Sequence, residues 1–239
     1  MAEKVIGILG GMGPEATLRC FAHILAQTPA QSDQEHLRVI IDDNPKIPDR
    51  TRAILGQGPS PLPALLESCR ALERAGADFI IIPCVTAHFF LQELMAQSPL
   101  PVVSLLEVVG RAVAQARPPI RKVGLLGTNG TVQSGIFQKE LEARGIETLV
   151  CEPQRQEQVM EAIYLVKSSQ QPGDRRRAAG LLAGAADHLL ERGAQGVVAG
   201  CTEIPLALEP GQVAAPYFDS LRLLAREAIR LAGREPRSV

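Results

Sequence analysis

Cys84 and Cys201 are the residues whose type and placement point most directly to chemistry. Each follows an apolar run, Phe79-Ile80-Ile81-Ile82 before the first and Gly196-Val197-Val198-Ala199 before the second, and each precedes a stretch that can turn helical. In open α/β sheets, ligands bind beyond the carboxyl ends of the strands. A cysteine ionises with a pKa of about 8.5, and a helix N-terminus lowers that value. A thiol so placed can take or give a proton near neutral pH. Two of them, one on each side of a carbon, suit a reaction that removes a proton from one face and returns one to the other. One sulfur would start as thiolate and the other as thiol, and the result is inversion of a stereocentre. The plain alternative is a pair of inert core cysteines, against which the strand-end positions argue.

The neighbours of the two thiols extend the pattern. Thr86 and Thr202 can bind a carboxylate through hydroxyl and backbone N–H, or can cap a helix, and the two roles are compatible. Glu203 and Pro205 fit the first turn of a helix. His88, four residues after Cys84, forms half of a zinc-like spacing, but no second pair lies nearby. No metal is expected, and His88 reads as a packing residue or one that supports the site from behind.

Gly10-Gly11-Met12-Gly13-Pro14 follows the first strand-like run, with glycines that allow close backbone approach and a proline suited to a first helical position. Such a loop can cradle an anion such as a carboxylate. Gly11-x-Gly13-x-x-Ala16 also satisfies a dinucleotide fingerprint, with Asp42-Asp43 where a ribose-binding acid would sit. The corresponding loop, Gly127-Thr128-Asn129-Gly130, lacks the fingerprint, and a nucleotide leaves the paired cysteines unexplained. No cofactor is expected. Pyridoxal phosphate is disfavoured because only five lysines exist, of which Lys167 alone is placed to face a cleft.

Two cations are candidates for a side-chain carboxylate. Arg50 lies in Asn44–Thr51, a loop stiffened by Pro45 and Pro48, and its planar fork matches a carboxylate. Met160, Ile163, Tyr164 and Lys167 recur at helical spacing, which puts Lys167 at the end of an apolar face. A solvated arginine and a snorkelling lysine are the bland alternatives. Arg175-Arg176-Arg177 reads as a solvated loop and helix start.

The elements that must hold these residues come as a repeat. Gly7-Ile8-Leu9-Gly10 recurs as Gly124-Leu125-Leu126-Gly127, and Gly76-Ala77 as Gly193-Ala194. Both share the offset of the cysteines, 201 − 84 = 117. Strands are predicted at Val5–Leu9, Leu37–Ile41, Phe79–Ile82, Pro101–Val103, Val123–Leu126, Glu147–Val150, Gly196–Ala199 and Ala215–Phe218. Their continuous apolar character suggests burial on both faces. Helices are predicted between them, among others at Pro63–Ala75, Val132–Arg144 and Arg177–Arg192. The expected fold is α/β: two pseudo-symmetric, duplicated three-layer domains, each with a mainly parallel four-stranded sheet, and an active site in the cleft between them. The expected halves are residues 1–103 and 104–218.

Composition sets the outer bounds. The 239 residues are 46% hydrophobic and 21% charged, enough for a sizeable core. A net charge of -1, only 3% aromatics and no tryptophan argue against nucleic-acid binding. Apolar stretches of about 8 residues are too short to span a membrane. Five cysteines without a secretory pattern argue against a disulfide framework and for a cytoplasmic protein.

Gly10–Thr17, Asn44–Thr51, Pro83-Cys84-Val85-Thr86-Ala87-His88 and Gly200-Cys201-Thr202-Glu203 together resemble the aspartate/glutamate racemase family, and within it the aspartate-specific branch, over nearly the whole chain. The resemblance implies a racemase independent of pyridoxal phosphate, with two pseudo-symmetric α/β domains and commonly a homodimer. It implies Cys84 and Cys201 as the acid/base pair, and Arg50 and Lys167 on the side-chain carboxylate. It places Met12, Thr86, Thr128 and Thr202 around the α-carboxylate and amine, and a last helix, within residues 219–239, packed on the first half. Val85 departs from the family, which usually has Asn directly after the first cysteine. Valine offers no side-chain donor or acceptor, so substrate recognition is altered there more than proton chemistry. The expected substrate is aspartate or a similar acidic amino acid, or a non-acidic one if Val85 redirects recognition. A maleate-type isomerase or decarboxylase of the same superfamily would use its cysteines unequally. A two-lobed binding module would close on an amino acid without chemistry.

Overall fold

The computed structural model describes residues 3–169 and 171–237. Among them the chain forms strands β1 (Ile6–Gly10), β2 (Val39–Asp43), β3 (Phe79–Ile81), β4 (Lys122–Gly127), β5 (Glu147–Val150), β6 (Val197–Gly200) and β7 (Tyr217–Asp219). The α-helices are α1 (Pro14–Gln27), α2 (Arg50–Ile54), α3 (Leu62–Arg74), α4 (Leu91–Gln97), α5 (Leu105–Ala114), α6 (Asn129–Ser134), α7 (Ile136–Glu142), α8 (Pro153–Ser168), α9 (Pro172–Glu191) and α10 (Ser220–Leu231). The chain divides into two compact units, one of Met1–Leu105 with Leu221–Val239 and one of Leu106–Ser220. No described helix is long and apolar enough to cross a membrane.

The first unit holds a parallel sheet of order β2-β1-β3, and the second a parallel sheet of order β5-β4-β6-β7. The central strand comes first in sequence in both, flanked by the next two strands on either side. The second sheet has the expected four strands. In the first, Pro101–Val103 is reduced to a single bridge, Ile80 to Val102. Pro99 and Pro101 remove backbone donors there, and two hydrogen bonds remain, Ile80 N–H to Pro101 and Val103 N–H to Ile80.

Burial follows strand position. Every residue of β1, β3 and β6 is buried, and β4 is buried after Lys122, so both faces of these strands are covered. The edge strands β2, β5 and β7 are half-exposed, so the expected two-sided burial fails at the edges. In the first unit α1 and α3 pack on β1. In the second, α8 and α9 pack on each other and on β4. The helix expected over Val132–Arg144 is broken at Gly135, whose positive φ of 66° ends α6 and starts α7. In the first unit α10 buries Leu221, Leu224, Ala225 and Ala228, and beyond it Lys4 N–H bonds Ala232.

The repeated glycines have one local job. Gly76 and Gly193, at φ 91° and 95°, end α3 and α9. The N–H groups of Ala77 and Ala194 reach back to Leu72 and Leu189, each at 3.0 Å. This is a Schellman ending, for which glycine is the residue of least strain. It returns the chain from helix to the strand that leads to each cysteine.

The loop after β1 folds on itself. Gly11 N–H donates to Thr17 Oγ1 at 2.9 Å, and Thr17 Oγ1 donates to the Gly13 carbonyl at 3.1 Å. A Cβ on Gly11 would lie 2.2 Å from the Asn44 backbone, at φ +85°. The glycines therefore serve the packing of β1's turn against the start of the Asn44 loop. The Gly11 donor is consumed inside the protein, which removes it from the anion cradle and from the pyrophosphate grip that the glycine pattern suggested. Gly11→Ala is expected to lower the melting temperature by roughly 5–10 °C. Gly173→Ala, in open space in the first turn of α9, should leave it unchanged or slightly raised. Thermal unfolding followed by circular dichroism checks both.

Candidate active site

In the first unit β3 ends at Ile81, and the chain turns so that Cys84 N–H bonds the Ile82 carbonyl at 2.8 Å. Cys84 is 3% exposed, and its Sγ lies 3.5 Å from Thr86 Oγ1. Val85, 2% exposed, precedes a 3₁₀ helix of Thr86–Phe90, and α4 comes only afterwards. His88 is buried beneath, with Nδ1 2.9 Å from the Cys84 carbonyl. It takes the supporting position behind the site that its spacing from Cys84 allowed. Met12 is buried in the turn after β1. Arg50, the first residue of α2, donates from Nη1 to the carbonyls of Ile47 (3.2 Å) and Pro48 (3.0 Å) and from Nη2 to that of Met12 (3.4 Å). Its buried Nε has no hydrogen-bond partner among the described residues. The stiff loop thus holds the guanidinium by its own carbonyls, beside Met12.

In the second unit Cys201 follows β6 directly and is 5% exposed. Its Sγ donates to Glu203 Oε2 at 3.0 Å. The other oxygen of the same carboxylate, Oε1, accepts from Lys167 Nζ at 2.8 Å. Glu203 is 3% exposed and Lys167 about a third. One buried carboxylate therefore joins the thiol to the ammonium. Lys167 reaches it from the last turn of α8, and in this arrangement its charge is committed to Glu203. Thr202 is buried between thiol and carboxylate in sequence, and Thr128 caps α6 by accepting from Thr131 N–H at 3.1 Å. Gln156 Nε2 pins α8 to the end of β4 through the Gly127 carbonyl (2.9 Å) and Asn129 Oδ1 (3.0 Å).

Three expectations change. Each cysteine leads into a short 3₁₀ turn, Thr86–Phe90 or Ile204–Leu206, and not into an α-helix N-terminus. Burial first, and then the charge of Glu203, push the Cys201 thiol well above the ordinary cysteine value, with Lys167 pulling the other way. The lowered pKa expected for this sulfur is replaced by a raised one, because a thiolate beside a buried carboxylate is doubly disfavoured. The supposed apolar face of α8 also dissolves: Tyr164 is 58% exposed, and the buried residues are Val159, Ala162, Ile163 and Val166. Met160 instead accepts Asn129 N–H on its sulfur at 3.2 Å.

Glu203 is the residue that sequence reasoning underrated. The signal was its place two residues after Cys201, which was assigned to a helix turn. All five cysteines are buried, and no disulfide joins any of them. Among the described residues no three of His, Cys, Asp and Glu gather as metal ligands do.

A match to the Asp/Glu/Hydantoin racemase family runs over residues 9–228 and takes in every candidate residue above. The chain belongs to this family. It is an enzyme, an isomerase acting on amino acids. A broad specificity amino-acid racemase of Bacillus subtilis is 27% identical over 94% of this chain and 96% of its own length. The solved aspartate racemase of Picrophilus torridus is 29% identical, with TM-score 0.85, over 98% of this chain and 96% of that one. A solved aspartate racemase homologue from Pyrococcus horikoshii is 27% identical, with TM-score 0.76, over 97% and 100%.

The carboxylate next to Cys201 has a measurable consequence. Burial is the first cause of the raised Cys201 pKa and the Glu203 charge the second, and Glu203→Gln removes the second. Its pKa should fall, and its alkylation by iodoacetamide at pH 8 should rise roughly tenfold for each unit of fall. Peptide mapping by mass spectrometry reads the rate. An unchanged or slower Cys201 rate would contradict the electrostatic assignment.

Proposed function

We propose that this enzyme interconverts the L and D forms of aspartate, or of a similar acidic amino acid, with Cys84 and Cys201 acting from opposite faces of the α-carbon. The observation that carries the proposal is their equivalent placement: each follows the strand hydrogen-bonded to the first strand of its unit. Cys201 donates a hydrogen bond to Glu203 and keeps its proton, so it enters the cycle as the thiol. Cys84 then supplies the base in that half-reaction. The Cα–H bond breaks, its proton forms the Cys84 S–H bond, and the electron pair is held in the enolate of the substrate. The Cys201 S–H bond breaks as its proton forms the new Cα–H bond on the other face. The Cys201 thiolate left beside Glu203 is offset by Lys167, which lies on the far oxygen of that carboxylate. The reverse direction exchanges the roles.

Arg50 is the proposed anchor of the side-chain carboxylate, because its guanidinium is fixed in place and keeps one buried donor unpartnered among the described residues. Lys167 can join it only by sharing its charge with Glu203. Met12, Thr86, Thr128 and Thr202 are the proposed lining around the α-carboxylate and amine. A second reading, a racemase of broader specificity, is favoured by one feature: Val85 brings no polar side-chain atom beside Cys84, and a Bacillus subtilis relative is itself of broad specificity. Five cysteines with no disulfide among them fit a reducing cytoplasm. A homodimer is the assembly the family resemblance suggests, and sedimentation equilibrium tests it.

Exchange of the α-proton in D₂O, followed by NMR with both enantiomers of aspartate, glutamate and several neutral amino acids under reductant, tests the proposal. Exchange with loss of optical purity confined to aspartate supports an acidic substrate, and exchange across the set supports the broader one. Cys84→Ala and Cys201→Ala should each lower racemisation by at least about 10²-fold. Full activity in either variant would refute the two-base assignment. Arg50→Lys should raise KM for aspartate about tenfold or more, because a point charge cannot reproduce the fork.

A further inference from the structure

Behind Cys84 lies a group that proton transfer does not use. His88 is 4% exposed, and both of its ring nitrogens are engaged. Nδ1 is 2.9 Å from the Cys84 carbonyl, and Nε2 is 3.0 Å from the backbone nitrogen of Leu105. A backbone N–H can only donate, so Nε2 must carry the lone pair. A carbonyl can only accept, so Nδ1 must carry the proton. The two partners together admit one state of the ring, the neutral Nδ1–H tautomer. An imidazolium would set a second N–H against that of Leu105. Burial, which lowers the basicity of His88, acts in the same direction.

Both attachments sit at structurally demanding points. Leu105 opens α5, where backbone N–H groups lack partners within the helix, and His88 satisfies one of them. Leu105 is also the last residue of the first unit before the chain passes into the second. At the other end, the Cys84 carbonyl belongs to the short irregular stretch between β3 and the 3₁₀ turn, where ladder hydrogen bonds no longer fix the backbone.

We propose that His88 is a positioning residue of Cys84: Leu105 N–H selects its tautomer, and the resulting Nδ1–H holds the Cys84 carbonyl and so fixes where the sulfur points. The proposal rests on Cys84 being one of the two acid/base groups. It assigns His88 no contact with substrate and no proton transfer. The proton-transferring geometry of Cys84 depends on it, whereas substrate affinity does not.

His88→Asn keeps an amide near the position of Nδ1, and His88→Phe keeps ring bulk without either bond. In steady-state racemisation His88→Phe should lower kcat about tenfold or more with little change in KM, and His88→Asn should recover part of that loss. The alkylation rate of Cys84 should change in His88→Phe while that of Cys201 stays as in the parent enzyme. Wild-type kcat in His88→Phe, or equal changes at both cysteines, would overturn the assignment. ¹⁵N NMR of the unaltered, histidine-labelled enzyme, with the His88 signals identified by their loss in His88→Asn or His88→Phe, gives a readout that survives poor folding of the variants as a source of kinetic data. A pyrrole-like Nδ1 and pyridine-like Nε2 support the proposal; a protonated Nε2 overturns it. Should the parent enzyme racemise nothing, the alkylation and NMR results still decide the role of His88, so the failure of one proposal is separable from failure of the other.

Discussion

Parallel pairing of β1 with β3, and of β4 with β6, is the constraint on which the rest of the structure depends. In a parallel ladder all strands end at the same edge, so each crossover returns the chain to deliver its next loop beside the previous one. The Met12 turn and the Cys84 loop therefore leave one edge of the first sheet, and the Thr128 cap and Cys201 leave the corresponding edge of the second. The strands that do this are buried throughout, which leaves their polar backbone groups no partner but the neighbouring strand. Gly76 and Gly193 set the entry into β3 and β6 by the same helix ending, so the repeat in sequence is a repeat in how each cysteine is delivered.

From equivalent strand ends the two thiols meet unlike surroundings. Cys84 lies near a hydroxyl, Thr86, and is braced from behind by His88. Cys201 donates a hydrogen bond to a carboxylate that also holds an ammonium. A buried carboxylate left unpaired would be costly, on the order of 3–5 kcal/mol once its partner is removed. Glu203 is therefore tied to Lys167 as well as to the thiol, and the charge balance of this half belongs to the three groups together. In the two-base reaction proposed above, this asymmetry would set which sulfur begins as acid without preventing the exchange of roles.

The substrate contact proposed for Arg50 draws on a different kind of order. Arg50 is held by carbonyls of its own loop and by Met12, so its orientation is set before any ligand arrives. Preorganisation of this sort lowers the cost of binding, because the long side chain has already lost its rotamer freedom. Val85 contributes only shape beside Cys84, and under the proposed function the balance between a fixed arginine and an apolar neighbour would decide how strictly an acidic side chain is required.

The strands and the landmarks of the repeat were legible in the sequence because continuous β-branched runs and paired glycines are local signals. β1, β3, β4, β5 and β6 lie within a residue or so of where the apolar runs place them, and both cysteines sit at strand ends as the pattern implied. Family membership was legible for the same reason: the motifs are short, contiguous stretches. Tertiary structure alone decided what lies between elements distant in sequence. Lys167 reaches Glu203 across 36 positions, and His88 reaches Leu105 across 17. Gly11 is fixed by its approach to Asn44. No periodicity encodes such contacts, since they depend on how far a crossover travels before it returns. The raised pKa of Cys201 was decided by folding too: sequence shows a thiol at a strand end with a glutamate two residues on, but only tertiary burial, of the thiol first and of the carboxylate beside it, keeps the proton on sulfur.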